Sequence, residues 1–146
     1  MKTTATVVLA LALLLPACSS VTPVAIRAGD LCNNCGRTIT DVKLAAEAIS
    51  ASGQALKFRT VGCMARYLAK HPGPVQAAFV TDYPSGRMVR AQNATFVRAD
   101  IDPATGERDY YAFAEWTRAS EFGKANEATG VDWFSIMQQT AASKSD

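Results

Sequence analysis

Two cysteines three residues apart, Cys32 and Cys35 in Leu31-Cys32-Asn33-Asn34-Cys35-Gly36-Arg37, concentrate more chemistry than any other stretch of this chain. Thiolates at that spacing meet either one soft metal ion or each other. In a thioredoxin-like enzyme such a pair caps a helix that follows a strand. Here Gly36 and a β-rich stretch come next, and no strand-helix-strand unit precedes the pair. Haem attachment needs histidine after the second cysteine, and residue 36 is glycine. Structural zinc wants four ligands, usually from two such pairs. A Cys32–Cys35 disulfide would close a tiny loop and add little stability. Copper(I) is soft, prefers thiolate and thioether, and is satisfied by two or three ligands. Cys32 and Cys35 form a two-thiolate site for it, and Cys63 or Met64 is the candidate for a third position. Met88, Met137 and His71 are further candidates. Each has a plainer alternative: core packing for Met64 and Met137, an inert buried thiol for Cys63, an exposed helix end for His71.

The carboxylates are placed for turns and strand ends, where they cap backbone amides. Glycine-rich phosphate loops, histidine-based metal helices and nucleophile elbows are absent from the sequence. The aromatics Trp116, Phe122, Trp133 and Phe134 read as core.

With 146 residues the chain has room for one domain with a modest core. Fifteen basic residues against thirteen acidic ones, scattered and summing to +2, exclude a nucleic-acid binder with a basic stripe. Residues 1–17 read as a secretory leader, with Lys2 before an apolar run too short for a stop-transfer helix. Leu15-Pro16-Ala17-Cys18 matches the bacterial lipobox, in which the cysteine is acylated and becomes the new N-terminus. Several acyl chains on Cys18 would hold the protein on a membrane surface, and Ser19 fits the outer-membrane pattern. The mature chain then keeps three other cysteines, an odd number in an oxidising compartment. Residues 18–30 form a lipid-anchored tether, flexible or extended.

The elements that must hold the cysteines follow from periodicity. Residues 38–50 contain one strand, although Leu44-Ala45-Ala46-Glu47-Ala48 has real helix propensity, 51–54 form a turn, and 55–59 a second strand completing a hairpin. Residues 61–70 carry apolar side chains at helical spacing until Pro72-Gly73-Pro74 stops the run, with Cys63 and Met64 in the first turn. A buried strand spans 75–83 and a turn 84–87. One or two strands, interrupted near Gln92-Asn93, occupy 88–97, and a tight turn spans 102–106. Then come a short strand at 110–113, a helix at 114–125, a last strand at 131–133 and a terminal helix at 134–142. The order strand, strand, helix, strand occurs twice, over about 40–82 and, less cleanly, over about 88–133. The class is α+β: a small domain with a mixed sheet and helices packed on it, spanning residues 31–142, with a disordered tail at 143–146.

Several pieces combine into a longer pattern: the lipobox, Cys-x-x-Cys-Gly, Leu-Lys-Phe, Gly-Cys-Met-x-x-Tyr-Leu, Val-Thr-Asp-Tyr-x-Ser-Gly, Ala-Thr-Phe-Val, and Tyr-Ala-Phe before a helix. The pattern resembles the NosL family, the accessory lipoproteins of nitrous oxide reductase, over essentially the whole mature chain. That resemblance implies two strand-strand-helix-strand halves with an organomercurial lyase-like fold. It also implies a non-enzymatic role: binding copper(I) and handing it, in the periplasm, to the machinery that assembles the reductase's copper centres or those of a related cuproenzyme. Cys32 and Cys35 carry over directly, and Cys63 and Met64 as a matched helix start. Arg37 stands where the family usually has methionine, and Asp102-Pro103-Ala104-Thr105 where it has a Pro-Met pair. The Arg37 cation would favour a neighbouring thiolate. The rival functions are a thiol-disulfide reductant of copper-site cysteines and a lipoprotein scaffold with an idle disulfide.

Overall fold

The computed structural model describes residues 20–143. The leader, Cys18 and the last three residues of the expected tail lie outside that range. Two antiparallel layers organise the chain. The first is a four-stranded sheet, ordered β2-β1-β3-β4, from β1 (Ala46–Ser50), β2 (Ala55–Phe58), β3 (Val75–Thr81) and β4 (Met88–Arg90). The second is the hairpin of β5 (Thr95–Asp102) and β6 (Glu107–Phe113). Parallel pairing occurs in one place among the described residues, the bridge Asp82–Ala112 that joins the layers. Helices α1 (Val61–Lys70), α2 (Trp116–Ala125) and α3 (Trp133–Ala142) complete the α+β domain.

The doubled order is visible in the pairing. β1 and β2 form a hairpin, α1 follows, and β3 returns antiparallel to β1. β5 and β6 form a hairpin, α2 follows, and Val131 returns antiparallel to Phe96 of β5. In the second half the expected last strand shrinks to that bridge. The reason is Asp132, whose carboxylate accepts the Ser135 amide and starts α3 at Trp133.

β1 is buried on both faces. Its inner face, with Ala46 and Ala48, joins Phe58, Val61, Met64, Val80, Phe96 and Ile136 in the main core between sheet, α1 and α3. Phe122 packs under the hairpin with Val97, Phe113 and Ala119. Two aromatics expected in the core are not there: Trp116 is 69% exposed and Phe134 67%. Both lie in a helix's first turn, where the apolar stripe has not yet reached the core.

The outer face is crossed by the segment expected as a tether. It is extended but bound. Val21 packs on Ile49, Ala77 and Phe79 and accepts Arg90 Nη2 of β4 at 3.4 Å. Val24 donates its amide to Glu47 Oε1 of β1 at 2.8 Å, and Lys57 Nζ of β2 donates to the Ala25 carbonyl at 3.0 Å. The segment thus runs over the sheet from β4 to β2 and delivers the chain to the cysteine turn.

Glu47 is fully buried beneath it, and its Oε2 has no partner among the described residues. Burial pushes its carboxyl above the ordinary 4.5, against the pull of the Val24 amide and Lys57. A raised acid binds its proton more readily folded than unfolded. Its stabilising contribution is therefore complete below 4.5 and fades as pH rises through the folded value. Urea unfolding from about pH 4 to 7 is expected to show a falling slope that Glu47→Gln flattens.

Candidate metal centre

The cysteine turn is a closed loop before it is a site. Leu31 bridges to Thr38, the Cys32 amide donates to the Arg37 carbonyl at 2.9 Å, and the Gly36 amide donates to the Cys32 carbonyl at 2.8 Å. Gly36 has φ +70°, a conformation that costs other residues strain. Asn33 fixes the loop to the edge of β2: its amide donates to the Lys57 carbonyl at 2.8 Å, and its Oδ1 accepts the Lys57 amide at 2.7 Å. Cys32 is thereby turned inward and Cys35 left exposed.

Cys63 arrives from the first turn of α1. Thr60 caps that helix, its hydroxyl accepting the Cys63 amide at 3.1 Å. Asp109 of β6 lies beneath, accepting the Thr60 hydroxyl at 2.7 Å and the Gly62 amide at 2.8 Å. The fit is close enough to require glycine, since a Cβ on residue 62 would meet the Asp109 carboxylate oxygens at 2.6 and 2.8 Å. Residue 62 is what lets helix and carboxylate approach.

The result is three thiol sulfurs, from Cys32, Cys35 and Cys63, all within 4.8 Å of one another. All three are free. Some point therefore lies no more than about 2.8 Å from every sulfur, and a small contraction reaches a metal–thiolate bond of about 2.3 Å.

Backbone dipoles favour charge on the inner sulfur. Burial alone would push the Cys32 thiol up, but amides of Arg59, Cys35 and Asn34 directed at it prevail and hold it below the usual thiol value. Arg37, expected to favour a neighbouring thiolate, pairs with Glu107 at 3.6 Å. Cys63 goes the other way. Burial raises its pKa, and the nearby Cys32 and Cys35 raise it further, against the Thr60 contact and the Arg66 charge. The loop sulfur of Cys32 thus loses its proton more readily than an ordinary thiol, and the helix sulfur of Cys63 less readily.

Two arginines complete the surroundings. Arg66, one turn after Cys63, places Nη2 at 3.4 Å from Cys63 Sγ and 3.9 Å from Asp109 Oδ2. Arg59 is clamped through Nη2 on Glu107 Oε1. Sequence reasoning missed both arginines and the roles of Glu107 and Asp109. The available signals were i,i+3 spacing from Cys63 to Arg66 and a carboxylate in mid-strand at 109, where an alternating pattern turns it inward.

A family model described as NosL matches residues 23–140. The chain belongs to the NosL family. The crystal structure of the copper chaperone NosL from Shewanella denitrificans superimposes with a TM-score of 0.68, at 18% identity, covering 82% of this chain and 98% of that one. At that identity the likeness speaks for the fold. No curated protein gives a significant match.

In this NosL member the remaining candidates are distributed as follows. Met64 is fully buried in the main core that also contains Cys32 and Cys63. Met88 packs on the opposite face of the sheet, its sulfur accepting the Thr81 hydroxyl at 3.2 Å. Met137 packs against the main core from α3. His71 caps α1, stacks on Tyr67 and places Nδ1 at 2.9 Å from the Tyr67 carbonyl. It takes no part in the sulfur cluster. No helix among the described residues is long and apolar enough to cross a membrane.

Proposed function

We propose that this NosL-family chain is a carrier of copper(I), held on the periplasmic face of a bacterial membrane by lipid on Cys18, and that Cys32, Cys35 and Cys63 are its ligands. The observation that carries the reading is the three-sulfur cluster, whose members lie within 4.8 Å of one another. Thiolates alone suit a soft monovalent ion, and three of them complete its coordination. The similar fold from Shewanella denitrificans is that of a copper chaperone. Met64 is the thioether candidate from the same helix turn.

Exposure suggests the order of events in delivery. Cys35 is reachable from solvent, whereas Cys32 and Cys63 are each 2% exposed. An acceptor's thiolate or thioether meets the ion on the Cys35 side and displaces that sulfur first. Each copper–sulfur bond broken is matched by one formed, and no electrons move. The recipient belongs to the assembly of nitrous oxide reductase or a related cuproenzyme, and the anchor places the exchange at the outer membrane. The thiol-disulfide reductant remains the competing reading, because the same sulfurs are near enough to pair.

Titrating the reduced, detergent-solubilised full chain with copper(I) against a competing chelator tests the proposal. One tightly held ion per chain, with no turnover of a model disulfide, is expected. Failure to outcompete the chelator, or catalytic disulfide reduction, would overturn it.

A further inference from the structure

We infer that Arg59 and Arg66 set the valence preference of the sulfur cluster, favouring a monovalent ion over a divalent one. The inference rests on the carrier reading and goes beyond it, from which residues hold the ion to which residues choose its charge. Three thiolates around a monovalent ion carry two net negative charges; around a divalent ion they carry one. A fixed cation nearby attracts the first complex twice as strongly as the second.

Such cations stand beside the cluster. Arg66 Nη2 stands 3.4 Å from Cys63 Sγ. Arg59 contributes its backbone amide to Cys32, and its guanidinium interacts electrostatically with Cys63 and Cys35. Its side chain is only 14% exposed, yet Nε is a buried donor with no acceptor among the described residues. A buried guanidinium N–H left without a partner is costly.

Both arginines meet carboxylates of one strand. Glu107 and Asp109 alternate on one face of β6; Glu107 holds Arg59 and Arg37, and Asp109 holds Arg66. Three arginines and two carboxylates leave one net positive charge around the sulfurs. Each such positive charge is attracted more strongly to the doubly negative copper(I) complex than to the singly negative divalent one.

Parallel competition titrations of the reduced full chain with copper(I) and with cadmium(II) test the inference, the latter followed by its sulfur-to-cadmium charge-transfer absorption. Arg66→Gln is expected to weaken copper(I) about tenfold and cadmium(II) about threefold, lowering the affinity ratio about threefold. Arg66→Lys keeps the charge and should keep the ratio. Arg59→Gln should lower the ratio in the same direction; should it fail to fold, Arg66→Gln, at a half-exposed site, decides alone. A purely structural role would weaken both ions equally. An unchanged or raised ratio in Arg66→Gln, with wild-type copper(I) binding intact, overturns this inference alone. A wild-type chain that takes up no copper(I) overturns it together with the carrier reading.

Discussion

Serine in place of Cys63 lowers copper(I) affinity by more than about a hundredfold, because even partners one step outside a metal's ligands are worth about 10- to 100-fold. The chain still binds after that change, since Cys32 and Cys35 remain as a two-thiolate site on a loop closed by its own hydrogen bonds. Serine at both Cys32 and Cys35 goes further and removes high-affinity binding, leaving one buried thiol on α1. The series is diagnostic because the sulfurs come from two separate segments, the loop at β2 and the first turn of α1. A chelator competition in which Cys63→Ser matches wild type would reduce the site to the cysteine pair. Retained tight binding in the double variant would place the ion elsewhere.

The second large effect is on stability. Asp109→Ala is expected to destabilise the fold by about 4 kcal/mol, since each buried donor left without its acceptor costs about 1–3 kcal/mol. The carboxylate is 3% exposed and serves Thr60, Gly62 and its own neighbour Tyr110. Thr60 in turn caps the helix that carries Cys63. Asp109→Asn keeps one carbonyl acceptor and should lose about half as much. Urea midpoints measure both, and a loss below about 1 kcal/mol in the alanine variant would mean these bonds are replaced by water.

Local signals were legible in the sequence where one segment decides its own structure. Helix α1 occupies Val61–Lys70, as its apolar spacing and the Pro72-Gly73-Pro74 stop require. The hairpin around Gly53 and the break at 91–93 also follow from local chemistry. Val131-Asp132-Trp133 misled because strand-forming side chains competed with a helix cap, and the cap won at Asp132. The three cysteines were identifiable by type. Their surroundings were not, because Arg59 meets Glu107 across 48 residues of chain and Gly62 meets Asp109 across 47. Pairings of that range depend on how hairpin and helix dock, which a periodic pattern does not encode. The binding of residues 21–25 to the sheet was hidden for the same reason: a proline- and glycine-containing run looks free until its hydrogen-bond partners are folded.

That bound run has a consequence for how the molecule stands. With lipid on Cys18, as proposed, two serines separate the anchor from Val21, a leash of about 10 Å at full stretch. Val21 is fastened at the β4 edge, and the cysteine loop at the β2 edge on the far side of the sheet. Three strand spacings of about 4.8 Å separate those edges. The β4 rim would therefore be kept close to the bilayer, and the sulfurs would sit at the opposite edge of the sheet, within reach of proteins that approach from the aqueous side.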